Sequence, residues 1–215
     1  MEALRNIQKR IHDAASRAGR DPQSVTLIAV TKTVPVDRIR EVAACGVRHV
    51  GESRLQDGLP KLDELKSLGL TWHFIGHIQT NKAKKVAECF DWIHSVDRME
   101  LIDKLGRSAT KPLSILIEVK LHDEPSKSGT DPAELPALIR SIRGYDSLQL
   151  KGLMSVPPFL ENPEEVRPYF RKLRELAVRH ELPELSMGMT HDFEVAIEEG
   201  ATMVRVGTGL FGKRS

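Results

Sequence analysis

The stretch Thr202 to Ser215, TMVRVGTGLFGKRS, decides between two folds. TMVRV (202–206) is a short run of apolar and β-branched residues, which predicts a strand, and only nine residues follow it. That tail is too short for a full helix packed on a sheet. Seven similar runs precede it: VTLIAVT (25–31), VRHV (47–50), WHFI (72–75), WIHSV (92–96), LSILIEV (113–119), LKGLMSV (150–156) and LSM (185–187). Longer polar segments with apolar residues at helical spacing separate them, and alternation of that kind favours parallel strands joined by helical crossovers. Eight units fit a closed barrel. An open doubly wound sheet would leave two edges to protect and would predict a helix after the last strand. The expectation is therefore an α/β chain forming a single (β/α)8 TIM-type barrel over residues 1–215, with an additional N-terminal helix and a truncated last helix.

The N-terminal segment carries Leu4, Ile7, Ile11, Ala14, Ala15 and Ala18 on one face, and Gly19 with Asp21-Pro22 ends it. Val166, Tyr169, Phe170, Leu173, Leu176 and Ala177 form a second apolar stripe, whose start reads Asn162-Pro163-Glu164-Glu165: a capping side chain, then proline at the first helical position. Asp131-Pro132-Ala133-Glu134 repeats that signature, but Pro136 predicts a later start or a bend.

Composition narrows the function. Lys and Arg total 32 against 30 Asp and Glu, a net charge of +2 with no like-charge block, which argues against nucleic-acid and membrane-surface partners. No run approaches the ~18 apolar residues of a spanning helix. The first residues lack the apolar core of a signal peptide, and the two cysteines, Cys45 and Cys89, form no close-spaced motif; a cytoplasmic location without disulfides is expected.

In such a barrel, chemistry gathers where the strands end. By the two-residue period Lys32 shares a face with Ile28 and Val30, and an amine partly desolvated above that aliphatic floor would attack a carbonyl to form a Schiff base. Gly207, Gly209 and Gly212 match GxGxxG, but the tail leaves no room for a βαβ unit or for an acidic residue about 20 positions later, so dinucleotide binding fails on context. What survives is a glycine turn whose N–H groups and Thr208 hydroxyl would hold a phosphate. Ser186 and Gly188 sit where a loop passes into a helix whose N–H groups would face the same phosphate, and Arg205 shares a strand face with Met203 and Gly207. His73 and His77 have the spacing of a zinc pair without its glutamate and on a strand pattern; no metal site is expected, although His77 remains a pocket candidate.

Taken together, AVTKT (29–33), HVGESR (49–54), WHFIGHIQTNK (72–82), SKSG (126–129), KGLMSVPP (151–158), YFRKLREL (169–176) and the stretch from LSMGM to RVGTGLFG (185–212) resemble the pyridoxal-phosphate homeostasis protein family. That resemblance implies the barrel half of the fold-type III enzymes related to alanine racemase, without their second domain. It implies pyridoxal 5′-phosphate as cofactor, Lys32 as its covalent Schiff-base partner, and Ser186, Met187, Arg205, Gly207 and Thr208 around its phosphate and pyridine ring. The family usually reads Gly-Glu-Asn where this chain has Gly51-Glu52-Ser53, and asparagine is common at Lys120; Ser53 stays a candidate contact. The implied role is a carrier or regulator that keeps the cofactor available to apo-enzymes, not an enzyme, and a closed barrel without an obvious apolar face suits a monomer. The alternative is an amino-acid racemase, which needs an acid/base group on each face of its substrate, whereas Tyr145 and Tyr169 lie on or near helices. A Schiff-base aldolase would share only the lysine and the phosphate cradle.

Overall fold

Each apolar run becomes a strand because its β-branched residues suit a pleated surface buried on both faces. In the computed structural model, which describes residues 2–122 and 128–212, these are β1 (Thr26–Val30), β2 (His49–Glu52), β3 (Thr71–Phe74), β4 (Trp92–Val96), β5 (Leu113–Glu118), β6 (Leu148–Met154), β7 (Glu184–Met189) and β8 (Met203–Val206). They close in chain order into one barrel, every neighbouring pair parallel, with β1 and β8 joined through Ile28 opposite Arg205. Ser126 and Lys127 of the SKSG motif lie outside the described residues.

Strand alternation divides the buried side chains between two cores. Ile28, Leu116, Met154 and Met203, from four different strands, meet inside the barrel. Ala29, Val50, Ile93 and Met187 face outward into a larger core shared with the helices. Those helices are α1 (Glu2–Arg17), α2 (Val36–Ala44), α3 (Leu55–Glu64), α4 (Ala83–Cys89), α5 (Met99–Ser108), α6 (Leu135–Arg143), α7 (Arg167–Arg179), α8 (Phe193–Glu198) and α9 (Thr208–Phe211). The last is a single turn, and α1 packs against both α8 and α9, burying Leu4, Ile7, Ile11, Ala14 and Ala15.

Both proline signatures cap as expected, with Asn162 accepting from the Glu164 N–H and Asp131 from the Ala133 N–H. Each opens a 3₁₀ turn, residues 163–166 and 132–134, before the α-helix begins. Pro136 falls at the start of α6, where the missing N–H would have had no partner. Among the described residues no helix is long and apolar enough to cross a membrane.

Candidate functional site

At the end of β1 the chain is tightly held. Lys61 of α3 donates to the Thr31 carbonyl (2.6 Å) and to Glu52 Oε1 (2.8 Å), and the Thr31 hydroxyl donates to the same carboxylate oxygen (2.7 Å). Glu52 is fully buried and Lys61 nearly so, which makes this pair a firm anchor for the turn that follows. Lys32 opens that turn and Thr33 adopts a left-handed conformation, φ 63°. The strand therefore stops two residues before the lysine, and Lys32 is an exposed residue of the turn rather than one sunk over an aliphatic floor as expected.

Lys32 does border a cavity of ≈ 170 Å³, together with Val30, Gly207, Thr208 and Phe211. The chain's first strand end and its final glycine turn thus meet in one recess. An added Cβ on Gly207 would project to 3.4 Å from Val30 Cβ, so the bare backbone leaves that wall open. The Thr208 hydroxyl donates to Thr190 Oγ1 (3.2 Å), as does the Gly209 N–H (3.2 Å), tying the loop after β7 to the turn after β8. At the start of α8, where N–H groups were expected to face a phosphate, buried Asp192 stands and accepts from the Met189 N–H (2.6 Å).

Inside the barrel Arg205 points toward β7. Its Nη1 donates to the Ser186 carbonyl (2.8 Å) and hydroxyl (2.6 Å), and Nη2 donates to the Ser155 carbonyl (3.0 Å). Burial pushes this guanidinium down to about 10, against the attraction of Asp192 and Glu118, so it stays a cation at neutral pH. Ser155, at the end of β6, keeps a buried hydroxyl with no hydrogen-bond partner among the described residues. Met187 alternates with Ser186, so its side chain packs in the outer core and only its backbone is placed for a ligand in the barrel.

Ser53 and His77 come together elsewhere. Both line a separate recess of ≈ 640 Å³ with Arg54, Phe74, Lys82 and Lys85, which shares no lining residue with the Lys32 cavity. Sequence reasoning missed three interior groups, Ser155, His49 and His94, and weighed His73 only as a metal ligand. His49 Nδ1 lies 3.0 Å from His73 Nε2, His73 Nδ1 lies 2.9 Å from His94 Nε2, and His94 Nδ1 lies 2.9 Å from Ser186 Oγ. The available signal was one histidine inside each of three consecutive strands, at inward parity. Among the described residues no cluster of His, Cys, Asp and Glu is arranged to hold a metal.

Comparison with known proteins bears on this arrangement. Residues 3–215 match the family model for the alanine racemase N-terminal domain. The pyridoxal phosphate homeostasis proteins of Aquifex aeolicus and Pseudomonas aeruginosa are 48% and 44% identical, each over 99% of this chain and over 97% and 95% of their own lengths. PipY of Synechococcus elongatus, solved with PLP bound, superposes with a TM-score of 0.84 at 41% identity, covering 96% of this chain and 100% of its own. Alanine racemase from Corynebacterium glutamicum shares the fold, with a TM-score of 0.68 at 16% identity, over 98% of this chain and 62% of the enzyme. With a barrel of this topology and near full-length matches to those relatives, the chain belongs to the alanine racemase N-terminal domain family, among the pyridoxal phosphate homeostasis proteins.

Proposed function

We propose that this protein binds pyridoxal 5′-phosphate through Lys32 and serves intracellular cofactor homeostasis as a carrier. One observation carries the reading: Lys32 and the Gly207-Thr208 turn line the same small cavity. The residues fit the group, since the open wall at Gly207 admits a ligand and the unpartnered Ser155 hydroxyl sits beside a cationic Arg205. When bound, the cofactor supplies an aldehyde carbon with which a lysine amine condenses, releasing water. Lys32 would provide that amine, Gly207 and Thr208 would hold the phosphate, and Ser186 with the Met187 backbone would border the ring. The Arg205 guanidinium, a cation at neutral pH, would disfavour protonation of a pyridine nitrogen held next to it and so restrain carbanion chemistry. Ser53 and His77, in their own recess, belong to the site only if the loops after β2 and β3 close on it.

A carrier fits better than a racemase because two-base chemistry needs a second proton donor opposite Lys32. Tyr145 donates its hydroxyl to Asp103 on α5, and Tyr169 lies edge-on to His122; neither lines the cavity. The large exposed apolar side chains, Met99 on α5, Phe159 in the loop after β6, Val178 on α7 and Met189 at the end of β7, come from four different elements, which supports a monomer.

Reconstitution with pyridoxal phosphate is expected to give a visible absorption band that borohydride bleaches, with the reduced label on Lys32, and Lys32→Ala is expected to abolish both. A wild-type protein without that band would overturn the reading. α-Proton exchange on alanine or serine at enzymatic turnover would replace the carrier with the racemase.

A further inference from the structure

A barrel interior is an expensive place for imidazoles, because each buried ring nitrogen must find a partner. Here three rings, from β2, β3 and β4, form an unbroken hydrogen-bonded line that ends on Ser186 and Arg205. His73 and His94 are fully buried, and His73 is further fixed by stacking on Trp92, ring centroids 5.6 Å apart. Burial holds both rings well below the ordinary histidine range, so each carries one proton at neutral pH.

The direction of the line follows from counting donors. Arg205 Nη1 can only donate, so Ser186 Oγ accepts from it. If His94 Nδ1 also carried a proton, Ser186 Oγ would accept twice and its own buried O–H would have no acceptor among the described residues, whose other contact to that oxygen is none but His94. The Ser186 hydroxyl therefore donates to His94 Nδ1. His94 then carries its proton on Nε2 and donates to His73 Nδ1, and His73 donates from Nε2 to His49 Nδ1. This arrangement gives each hydrogen bond along the line one donor and one acceptor, running outward from the guanidinium to half-buried His49.

We infer that His94 is a positioning residue for the cofactor site: by holding the Ser186 hydroxyl proton it turns the serine oxygen squarely onto Arg205, and His73 and His49 lock that arrangement in one tautomeric sense. Hydrogen bonds aligned head to tail polarise one another, so the serine oxygen becomes a stronger acceptor for the guanidinium than an isolated hydroxyl would be. The guanidinium is thereby fixed before any ligand arrives, and the preorganisation appears as affinity. This consequence for affinity rests on the proposed cofactor reading, whereas the tautomer assignment does not.

Two measurements test it. In the cofactor-free wild type, ¹⁵N-detected imidazole spectra are expected to show His94 and His73 neutral with the proton on Nε2; a proton on His94 Nδ1 would overturn the inference whether or not the protein binds pyridoxal phosphate. The second compares three variants by titration with pyridoxal phosphate. An asparagine oxygen occupies the place of histidine Nδ1, and a glutamine amide that of Nε2, so His94→Asn retains the Ser186 contact and His94→Gln retains only the His73 contact. His94→Leu retains neither. The Leu and Gln variants are expected to raise the dissociation constant about tenfold, the size of one hydrogen bond acting on a charged group, with Asn within about threefold of wild type. A purely structural role predicts the reverse order, with Gln, the closer match in volume, binding better than Asn; that order, or equal affinity in all three, sinks the inference. Should wild type itself show no binding, the cofactor reading fails while the spectra still decide the tautomers.

Discussion

A neutral imidazole wire sets how this protein responds to acid. In the unfolded chain His73 and His94 take up a proton near pH 6.5, while in the folded barrel burial keeps them neutral to much lower pH. The unfolded state then binds more protons, so stability is complete above about pH 7.5 and falls as pH drops through 6.5. Each histidine contributes a slope of about 1.4 kcal/mol per pH unit in that window. Of the groups facing the wire, Arg205 stays charged, and the carboxylate of Asp192, raised by burial, acts in the opposite sense nearer its own ordinary range. Urea unfolding at pH 7.5, 6 and 5 is expected to show the loss, and His94→Leu to remove the His94 share while His73 and half-buried His49, lowered in the same sense, keep the rest; a flat profile would mean the rings titrate in the folded state. Little of this was legible in the sequence. Lys32, Arg205 and the Gly207-Thr208 turn stand in motifs that announce themselves, whereas WHFIGH and WIHSV each show a histidine within an apolar run and nothing along the chain brings residues 73, 94 and 186 into one line. Strand parity puts Ser186 inward and Met187 outward, so the same rule that recovers the serine shows why the methionine side chain lies outside the site.

At the scale of elements, all eight strands were legible from apolar runs, and the helix starts from proline and a capping side chain. Pro136 announced the later start of α6; that a 3₁₀ turn fills the interval there, and another delays α7, was not legible, because a cap fixes where the chain turns and leaves open how tightly the first turn is wound. Nor was the closeness of β6 to β7. Gly152 stands opposite Glu184 in the ladder, and an added Cβ would lie 1.8 Å from the Glu184 carbonyl oxygen, a backbone atom with nowhere to move. Gly152→Ala is therefore expected to force the two strands apart at a cost on the order of 3 kcal/mol. Because Ser155 and Ser186 sit just beyond this point on the same pair of strands, the variant should also weaken cofactor binding. Gly46→Ala gives the contrast: φ is +96° there but nothing lies within 4 Å, so only the left-handed backbone strain of about 1–2 kcal/mol applies. Equal losses in chemical denaturation would show that β6 and β7 have slack the ladder does not suggest.

Across the whole molecule, the chain spends its first helix on a gap that its last strand creates. The missing eighth outer helix could be anticipated from the short tail, and so could the helix that covers the gap; that the cover also supports the site could not. Ile7 of α1 is 2% exposed and borders a surface recess together with Gly209 of α9, the turn that carries Thr208. Truncating Ile7 to alanine removes packing beneath that turn, whereas Leu101→Ala opens a comparable hole under α5, on a different part of the barrel wall. Both are expected to cost about 3 kcal/mol of stability. Only Ile7→Ala should also raise the dissociation constant for pyridoxal phosphate severalfold, since the N–H groups and hydroxyl around Thr208 lose their fixed position. Measured at a temperature where both variants remain folded, affinities reduced alike in the two would mean that ligand binding senses global stability; a loss confined to Ile7→Ala means that α1 serves as the floor of the phosphate turn as well as the closing stave of the barrel.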